Sequence, residues 1–461
     1  MKKYLLGFAF LLGLLSAHGE SFRVDNLDYL ILNEDIHDCM LTMSSEEPYS
    51  GDITIPAEVT FDNRVYNVIG IDEYSFAGCE NLISVTIPES VCEIGRNAFQ
   101  SCSSLSEIVF PDAVEKVEDQ TFYSCSSLTS FEGHGITIIG ESAFSNCVSV
   151  TDLIFSEELS FIGESAFKNC RMLQEFSFES VESLGIGAFS GCSSLLGVTL
   201  PGSMTVLPEA IFSDCVSLLI VNNTSGLVEI GDYAFSGCSS LQYFETNPDL
   251  SRIGRNAFSY CADLELTQIE GADLSIGDYA FSGCGSLQNL ILSGVTSIGE
   301  ETFANAIELQ SIYLGESLMS IGRRAFRNCN ELILVRSEAK QPPLLDNNSF
   351  DEATYARATL EVRASAELRY RQTPPWLYFN EIIPYLYDDD SVDDISLSAF
   401  EIAVEPGVLR ISGPAGKLSV YTVDGVCISN AMKGNEDITI PFQQKGIVVV
   451  SLGSYRKKIW L

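Results

Sequence analysis

One pattern repeats along most of this 461-residue chain: an aliphatic residue, usually Gly, two variable residues, a small residue, Phe, two variable residues, Cys, two variable residues and Leu. Successive copies are 22 or 23 residues apart, with a last interval of 24. A fixed period in this range indicates a solenoid, in which each coil buries its apolar face against the next. The Phe column consists of Phe76, Phe99, Phe122, Phe144, Phe167, Phe189, Phe212, Phe235, Phe258, Phe281, Phe303 and Phe326, followed by a partial copy at Phe350.

Eleven of the fourteen cysteines lie three residues after a repeat Phe. Equivalent positions in stacked coils are about 4.8 Å apart and point the same way, whereas a disulfide needs Cβ atoms about 3.8 Å apart and converging. The column therefore predicts buried free thiols, and Ala306 at the same place supports a packing role. The expected structural ladder consists of Phe99, Phe122, Phe144, Phe167, Phe189, Phe235, Phe258 and Phe281 with Cys102, Cys125, Cys147, Cys170, Cys192, Cys238, Cys261 and Cys284. Cys39, Cys92 and Cys427 lie outside it, and their state stays open.

Each repeat also predicts its own local structure. Leu105 to Phe110 alternates apolar and variable residues, which is typical of a strand. Arg96 to Phe99 is expected to form a helical or 3₁₀ turn. The Gly after the aliphatic residue is expected to serve close approach between coils rather than a positive φ, because Pro208, fixed near φ −65°, occupies the same place in another copy.

Composition changes along the chain predict six segments. Lys2 and Lys3 precede an apolar run that ends in small residues, so residues 1–19 are interpreted as a cleavable export signal. Residues 20–68 are expected to form a β-rich N-terminal cap with strands at Tyr29–Leu32, Ile53–Pro56 and Val65–Val68. The repeats occupy 69–337, a C-terminal cap of the solenoid 338–387, an acidic linker 388–394, and a small all-β sandwich 395–461, with a hairpin expected at Asp424-Gly425.

The charge distribution and the scarcity of histidine exclude several classes of function. A net charge of −37 argues against a nucleic-acid partner, because phosphate binding needs basic surfaces. Beyond the signal, only His37 and His134 could serve a triad, and His134 lies between two glycines, which is typical of a turn. No spacing of close ligand pairs indicates zinc. We therefore predict no enzyme activity, no metal and no cofactor.

The outward residues of the predicted strands form two columns. Their early half is polar and acidic, whereas their later half collects apolar and aromatic residues, which mark contact sites. Two alternatives explain the same pattern. The C-terminal cap or the β module could cover this patch, or its residues could reflect strand propensity without a function. The candidate ligand-binding face consists of Ile220, Tyr243, Leu266, Ile291, Tyr313 and Leu334.

The repeat resembles the BspA-like leucine-rich repeat family, as in Ile230-Gly231-Asp232-Tyr233-Ala234-Phe235-Ser236-Gly237-Cys238-Ser239-Ser240-Leu241. The resemblance implies an α/β solenoid of about 12 leucine-rich-repeat units. It also implies export by anaerobic Gram-negative bacteria and a role as a surface adhesin, with no catalytic residues to transfer. The tail weakly resembles the C-terminal sandwich of type IX secretion cargo through Gly446-Ile447-Val448-Val449-Val450 and Arg456-Lys457-Lys458-Ile459. Val448 stands where that family often has Tyr, so a sorting domain and a non-sorting β module both stay open.

These observations together predict an exported, non-enzymatic interaction protein. It would lie in the extracellular space or on the outer cell surface, with the periplasm as an alternative, and would have no membrane span. The expected partner is a protein on a host or bacterial surface. A glycan-binding or nutrient-capture protein is the main alternative; both tryptophans, Trp376 and Trp460, lie outside the repeats, which favours a protein ligand. An unrecognised hydrolase is the third.

Overall fold

The computed structural model describes residues 20–33, 35–346 and 348–385, together with seven strands between residues 401 and 460. The predicted export signal at 1–19 and acidic linker at 388–394 lie outside the described residues. The chain divides into two compact units, residues 1–172 and 173–461, and each is described by itself.

The described part of the first unit is built of short strands joined by turns. Its N-terminal portion includes the strands expected at Tyr29–Leu32 and Val65–Val68 inside longer ones, and the strand expected at Ile53–Pro56 lies earlier, at Gly51–Thr54. Three further strands, at Ser21–Val24, Asp38–Thr42 and Glu58–Phe61, were not predicted. The strands are β1 (Ser21–Val24), β2 (Leu27–Asn33), β3 (Asp38–Thr42), β4 (Gly51–Thr54), β5 (Glu58–Phe61), β6 (Arg64–Ile71), β7 (Leu82–Thr86), β8 (Glu93–Ile94), β9 (Glu107–Val109), β10 (Lys116–Val117), β11 (Ser130–Gly133), β12 (Ile138–Ile139), β13 (Asp152–Phe155) and β14 (Phe161–Ile162).

Strand pairing changes from mixed to parallel along this unit. The first sheet has the order β1-β2-β3-β6-β5, in which β3 and β6 are parallel and the other pairs antiparallel. Beyond it, each coil adds one strand to each of two parallel ladders, one formed by β9, β11 and β13 and one by β10, β12 and β14. Strand β8 pairs in parallel with β6 of the N-terminal sheet, so the first regular coil extends that sheet.

The second unit continues the same coil type and adds two short helices after the repeats. The helices are α1 (Glu352–Arg357) and α2 (Glu367–Gln372), with 3₁₀ turns at Thr224–Gly226, Ala364–Ala366 and Trp376–Tyr378. The strands are β15 (Ser183–Leu184), β16 (Gly197–Thr199), β17 (Val206–Leu207), β18 (Ile220–Asn222), β19 (Glu229–Ile230), β20 (Arg252–Ile253), β21 (Gln268–Ile276), β22 (Asn289–Ile298), β23 (Ser311–Leu314), β24 (Ser320–Ile321), β25 (Leu334–Ser337), β26 (Leu344–Leu345), β27 (Thr359–Arg363) and β28 (Glu381–Tyr385).

One parallel ladder runs from the repeats into the C-terminal segment. Strands β22, β23, β25, β27 and β28 pair in that order, so residues 359–385 extend the sheet of the repeats. Trp376 is fully buried in this segment, and its indole Nε1 donates a hydrogen bond to the carbonyl of Pro343 at 2.8 Å.

The tail contains two antiparallel sheets, in agreement with the predicted all-β module. The strands are β29 (Glu401–Glu405), β30 (Val408–Ser412), β31 (Gly416–Thr422), β32 (Cys427–Lys433), β33 (Ile438–Pro441), β34 (Ile447–Leu452) and β35 (Tyr455–Trp460). One sheet has the order β29-β30-β33 and the other β32-β31-β34-β35. Strands β31 and β32 pair antiparallel on either side of the expected turn at Asp424-Gly425; residues 423–426 themselves lie outside the described residues.

Repeat phenylalanines fill the interior of both units. Their rings stack with centroids 5.0–5.4 Å apart from Phe76 to Phe167, and 4.7–5.9 Å apart from Phe189 to Phe350. All of them are buried. Because full burial of such a side chain contributes about 1.5–3 kcal/mol, this stack is a main source of stability in each unit. The predicted solenoid is confirmed as a β-solenoid with few helices.

The turn before each Phe is not the helical or 3₁₀ turn that the sequence analysis predicted. Residues 96–101 form turns in which Asn97 and Ser101 have φ of 58° and 60°, and the same two places, two residues before and after the Phe, have positive φ in the other coils. A left-handed residue cannot continue a helix. The main chain bonds between coils instead, as when the Phe99 N–H donates to the carbonyl of Thr121 at 2.9 Å.

Glycine after the repeat aliphatic residue permits close approach of the main chains, as predicted. At Gly254, which has no positive φ, an added Cβ would lie 2.5 Å from the backbone nitrogen of Asp232 in the preceding coil. Real Cβ atoms do not come so close to backbone. The residue is therefore required by coil spacing and not by its own backbone angle.

Candidate interaction surface

Parallel pairing in the second unit places outward side chains of successive coils side by side. Ile220 lies opposite Tyr243 in an isolated parallel bridge, and Ile291 lies opposite Tyr313 on strands β22 and β23. Leu334 lies one column away, opposite Ser311. The six candidate residues therefore separate into two groups, with Leu266 between them along the chain.

The first group is larger than the sequence analysis indicated. Leu196 and Leu219 are exposed beside Ile220 and Tyr243, and the N–H of Leu219 donates to the carbonyl of Leu196 at 2.9 Å, which places them in adjacent coils. We name these four residues the Tyr243 cluster; their exposed fractions range from 37% to 51%. Both leucines directly follow a repeat Leu, and this sequence signal could have identified them.

Leu266 does not belong to the surface, because it is only 6% exposed. The pairing of Gln268 with Ile291 aligns Thr267 with Leu290, the inward residue of the next coil. Thr267 is exposed instead, and Leu266 turns into the core in its place. Strand β21 begins only at Gln268, so the alternation that predicted an outward Leu266 does not yet apply there.

The second group is partly covered by the C-terminal segment. The guanidinium carbon of Arg336 lies 5.0 Å from the ring centroid of Tyr313 and 5.0 Å from that of Tyr385. Its Nε donates to the Glu361 carboxylate at 2.7 Å. Tyr313 and Leu334 are half-buried, whereas Ile291 is exposed. Cation–π contacts of this kind stabilise the fold, so Tyr313 has a structural explanation of its own.

Polar side chains surround the Tyr243 cluster. Asn222, Glu245 and Gln268 are exposed on the neighbouring positions of the second column. An apolar centre with a polar rim is the usual anatomy of a protein contact site. This arrangement makes the Tyr243 cluster, rather than Tyr313 or Leu334, the accessible centre of the predicted face.

The outward strand columns of the first unit are more acidic. Glu107, Ser130 and Asp152 share one column, and Glu132 lies between Val109 and Ile154 in the other. Val109 and Ile154 are exposed, but each stands alone among polar residues. Isolated surface hydrophobics of this kind are common in folded proteins and need no functional explanation.

The described histidines and buried cysteines belong to no metal-binding group. His134 begins the turn after β11, as predicted, and its Nε2 lies 2.8 Å from a carboxylate oxygen of the half-buried Glu132. In the part of the chain that the structure describes, no group of His, Cys, Asp and Glu is arranged to hold a metal ion. Burial raises the pKa of Cys39 to about 12 and that of Cys79 to about 11, so both thiols stay protonated at neutral pH.

The ladder cysteines are buried and free wherever the structure describes their side chains. Cys39 is also buried and free, whereas Cys92 is exposed and free; the side chain of Cys427 lies outside the described residues. A buried, neutral thiol is a small apolar side chain rather than a nucleophile. The outward columns of the strands are therefore the candidate functional site.

The sequence matches the BspA type leucine rich repeat region over residues 57–174, 131–241, 161–288, 211–333 and 274–355, which together cover more than half of the chain. The chain belongs to the BspA-type leucine-rich repeat family. This membership confirms the resemblance drawn from the repeat and favours a role in protein interaction. No curated protein matches the BspA-type chain.

Solved structures of bacterial leucine-rich repeat proteins are similar to this BspA-type chain. A leucine-rich repeat protein from Bacteroides ovatus is 27% identical with a TM-score of 0.63, covering 75% of this chain and 96% of that one. A leucine rich cell surface protein from Faecalibacterium prausnitzii is 24% identical with a TM-score of 0.40, covering 76% and 96%. The pneumococcal vaccine antigen PcpA is 20% identical with a TM-score of 0.49, covering 80% and 99%. The described residues contain no helix that is long and apolar enough to cross a membrane.

Proposed function

We propose that this protein is an exported, non-enzymatic adhesin that binds a protein on a host or bacterial surface through the strand face of its second unit. The observation that carries the proposal is the Tyr243 cluster: four exposed apolar side chains on adjacent coils, rimmed by polar ones. Tyrosine is enriched among the residues that dominate binding energy, because it buries a large rigid ring and keeps a polar tip.

Coil stacking supports this role physically. Each coil contacts only its neighbours, so the surface residue of one coil can change without disturbing the interior ladder. The main chain of Ile220 and Tyr243 is held by the parallel bridge between their coils. A rigid backbone lowers the entropy cost of association, since only the outward side chains must be ordered on binding.

Export rests on the N-terminal sequence, where a basic start, an apolar run and small residues are typical of a signal peptide. Sorting of the tail by type IX secretion stays a prediction.

The test is a binding screen of the full mature chain against immobilised matrix proteins, with a glycan array run in parallel. For any protein ligand found, Tyr243→Ser and Leu219→Ser should each weaken binding by at least about tenfold, because central contact residues contribute roughly 1–4 kcal/mol. Tyr260→Ser is the matched control, since Tyr260 is an exposed tyrosine of the same unit outside the cluster. Its affinity should stay within about twofold of the unmodified protein.

Equal affinity of Tyr243→Ser and the unmodified protein for such a ligand would remove the cluster from the binding site. Failure to bind any matrix protein, with strong binding on the glycan array, would favour the nutrient-capture alternative.

A further inference from the structure

A cavity of about 730 Å³ opens on the C-terminal segment of the second unit, where the last coil meets α1 and the 3₁₀ turn at Trp376–Tyr378. Its volume falls in the range of about 300–1,000 Å³ that is usual for ligand pockets. None of its lining residues belongs to the Tyr243 cluster. The strand-face proposal therefore leaves this cavity without a role.

Aromatic rings form one wall of the cavity. Tyr378 is 53% exposed, and its ring is perpendicular to that of Tyr355 with the centroids 6.0 Å apart. Tyr355 in turn packs against Phe350 and Phe379, at 5.8 Å and 5.0 Å. A ring exposed to this extent beside a packed aromatic group offers an apolar surface to a ligand without further rearrangement.

Tyr355 lines the cavity without offering its hydroxyl to a ligand. The side chain is only 7% exposed, and its hydroxyl oxygen is enclosed by protein atoms. The polar partners of a ligand in the cavity would therefore come from the other lining residues.

The charges that line the cavity balance. Arg324 and Arg327 stand against Asp351 and Glu352, and both arginines also lie within 3.8 Å of the Glu301 carboxylate. Asp351 accepts a hydrogen bond from the N–H of Asn328 at 2.7 Å. A strongly anionic or cationic ligand would gain little binding energy from these balanced charges. A neutral ligand with many hydroxyl groups could both donate to the carboxylates and accept from the guanidinium groups.

We infer that this cavity is a second binding site, for a neutral saccharide of about one or two rings. The apolar face of a sugar ring would pack on Tyr378, and its hydroxyl groups would bond to the arginines and the acidic residues. The site is independent of protein binding at the Tyr243 cluster, so the two functions succeed or fail separately.

The experiment is a glycan array carrying neutral gluco-, galacto- and manno-oligosaccharides and their sialylated counterparts, followed by calorimetric titration of the full mature chain with the best neutral oligosaccharide. We expect binding to neutral oligosaccharides. Tyr378→Asn should weaken it by at least about tenfold, because it removes the exposed ring on which the sugar would pack.

Leu377→Ser is the matched control, since Leu377 is exposed beside Tyr378 but does not line the cavity. It should leave the affinity within about twofold, as should Tyr243→Ser. Absence of binding to every neutral oligosaccharide at millimolar concentration would overturn the inference. Binding that is unchanged by Tyr378→Asn, or a preference for sialylated glycans or for peptides at this site, would overturn it equally.

Discussion

The thiol of Cys261 donates a hydrogen bond to the main-chain carbonyl of Phe235, one coil earlier, with sulfur and oxygen 3.1 Å apart. The same carbonyl accepts from the N–H of Cys238 at 3.1 Å. The pattern recurs throughout both units, with S–O distances of 3.0–3.2 Å. It explains the choice of cysteine, a side chain small enough for the coil spacing that also brings a weak donor to a buried carbonyl. Ala306 fills the same place without a donor.

Replacing one ladder thiol should therefore cost stability. We expect Cys261→Ala to lower the free energy of unfolding by roughly 1–2 kcal/mol, from the lost hydrogen bond and the small cavity left behind. Urea unfolding monitored by circular dichroism measures this change in the free energy of unfolding. Cys92→Ala, at the exposed thiol, should change the value by less than about 0.5 kcal/mol. Equal effects of the two substitutions would show that the ladder bond contributes nothing.

Coil spacing should be sensitive to a single methyl group at the repeat glycine. Gly254→Ala would place a Cβ 2.5 Å from the Asp232 backbone nitrogen, and we expect it to destabilise the unit by roughly 1–3 kcal/mol. Gly285→Ala is the control, because the atoms nearest to an added Cβ there are 3.8 Å away. The difference between their urea midpoints checks this, and a Gly254→Ala variant as stable as Gly285→Ala would contradict the close approach.

Raising the pH should destabilise the protein through its buried thiols. Burial raises the pKa of Cys329 to about 12 and that of Cys79 to about 11, whereas a thiol in the unfolded chain ionises near pH 8.5. The unfolded state therefore loses protons first. Stability is fully present below about pH 8.5 and falls by up to about 1.4 kcal/mol per pH unit for each thiol as the pH rises toward 11–12.

Urea midpoints at pH 7, 8.5 and 10 measure this dependence, with Cys79→Ala as the control that removes one titrating thiol and should reduce the slope by its share. A flat dependence between pH 8.5 and pH 10 would show that the thiols already reach solvent in the folded state.

The sequence predicted the interior better than the surface, for a physical reason. Burial of the Phe and Cys columns follows from a period that every coil shares. The role of the repeat glycine could be predicted because Pro208 occupies the same place in another coil, which excludes a required positive φ. The left-handed residues at Asn97 and Ser101 escaped prediction because Asn, Ser, Tyr, Glu and Arg all occur at these places, so no single residue type marks them. Coil-to-coil hydrogen bonds, which are not local in sequence, hold that conformation.

The exposure of a surface residue depends on local departures from the repeat, and the general pattern of a column does not show them. Leu266 points inward because the polar Thr267, which aligns with the inward residues of other coils, is exposed and leaves the core place to Leu266. The pattern of outward residues alone does not show this exchange. Tyr313 is partly covered because Arg336 and Tyr385 come together across 49 residues of sequence. Contacts between segments so far apart in sequence leave no signal in the local residue pattern.

Alkylation of the thiols tests most directly the claim that the ladder is a closed interior and that binding belongs to the surface. Brief treatment of the folded chain with iodoacetamide, without reductant, followed by peptide mass spectrometry, should modify Cys92 and leave the ladder cysteines untouched. The same treatment in guanidinium, still without reductant, should modify every ladder cysteine. Ladder cysteines that resist alkylation in the unfolded chain until a reductant is added would be disulfide-bonded, and that result would contradict the account.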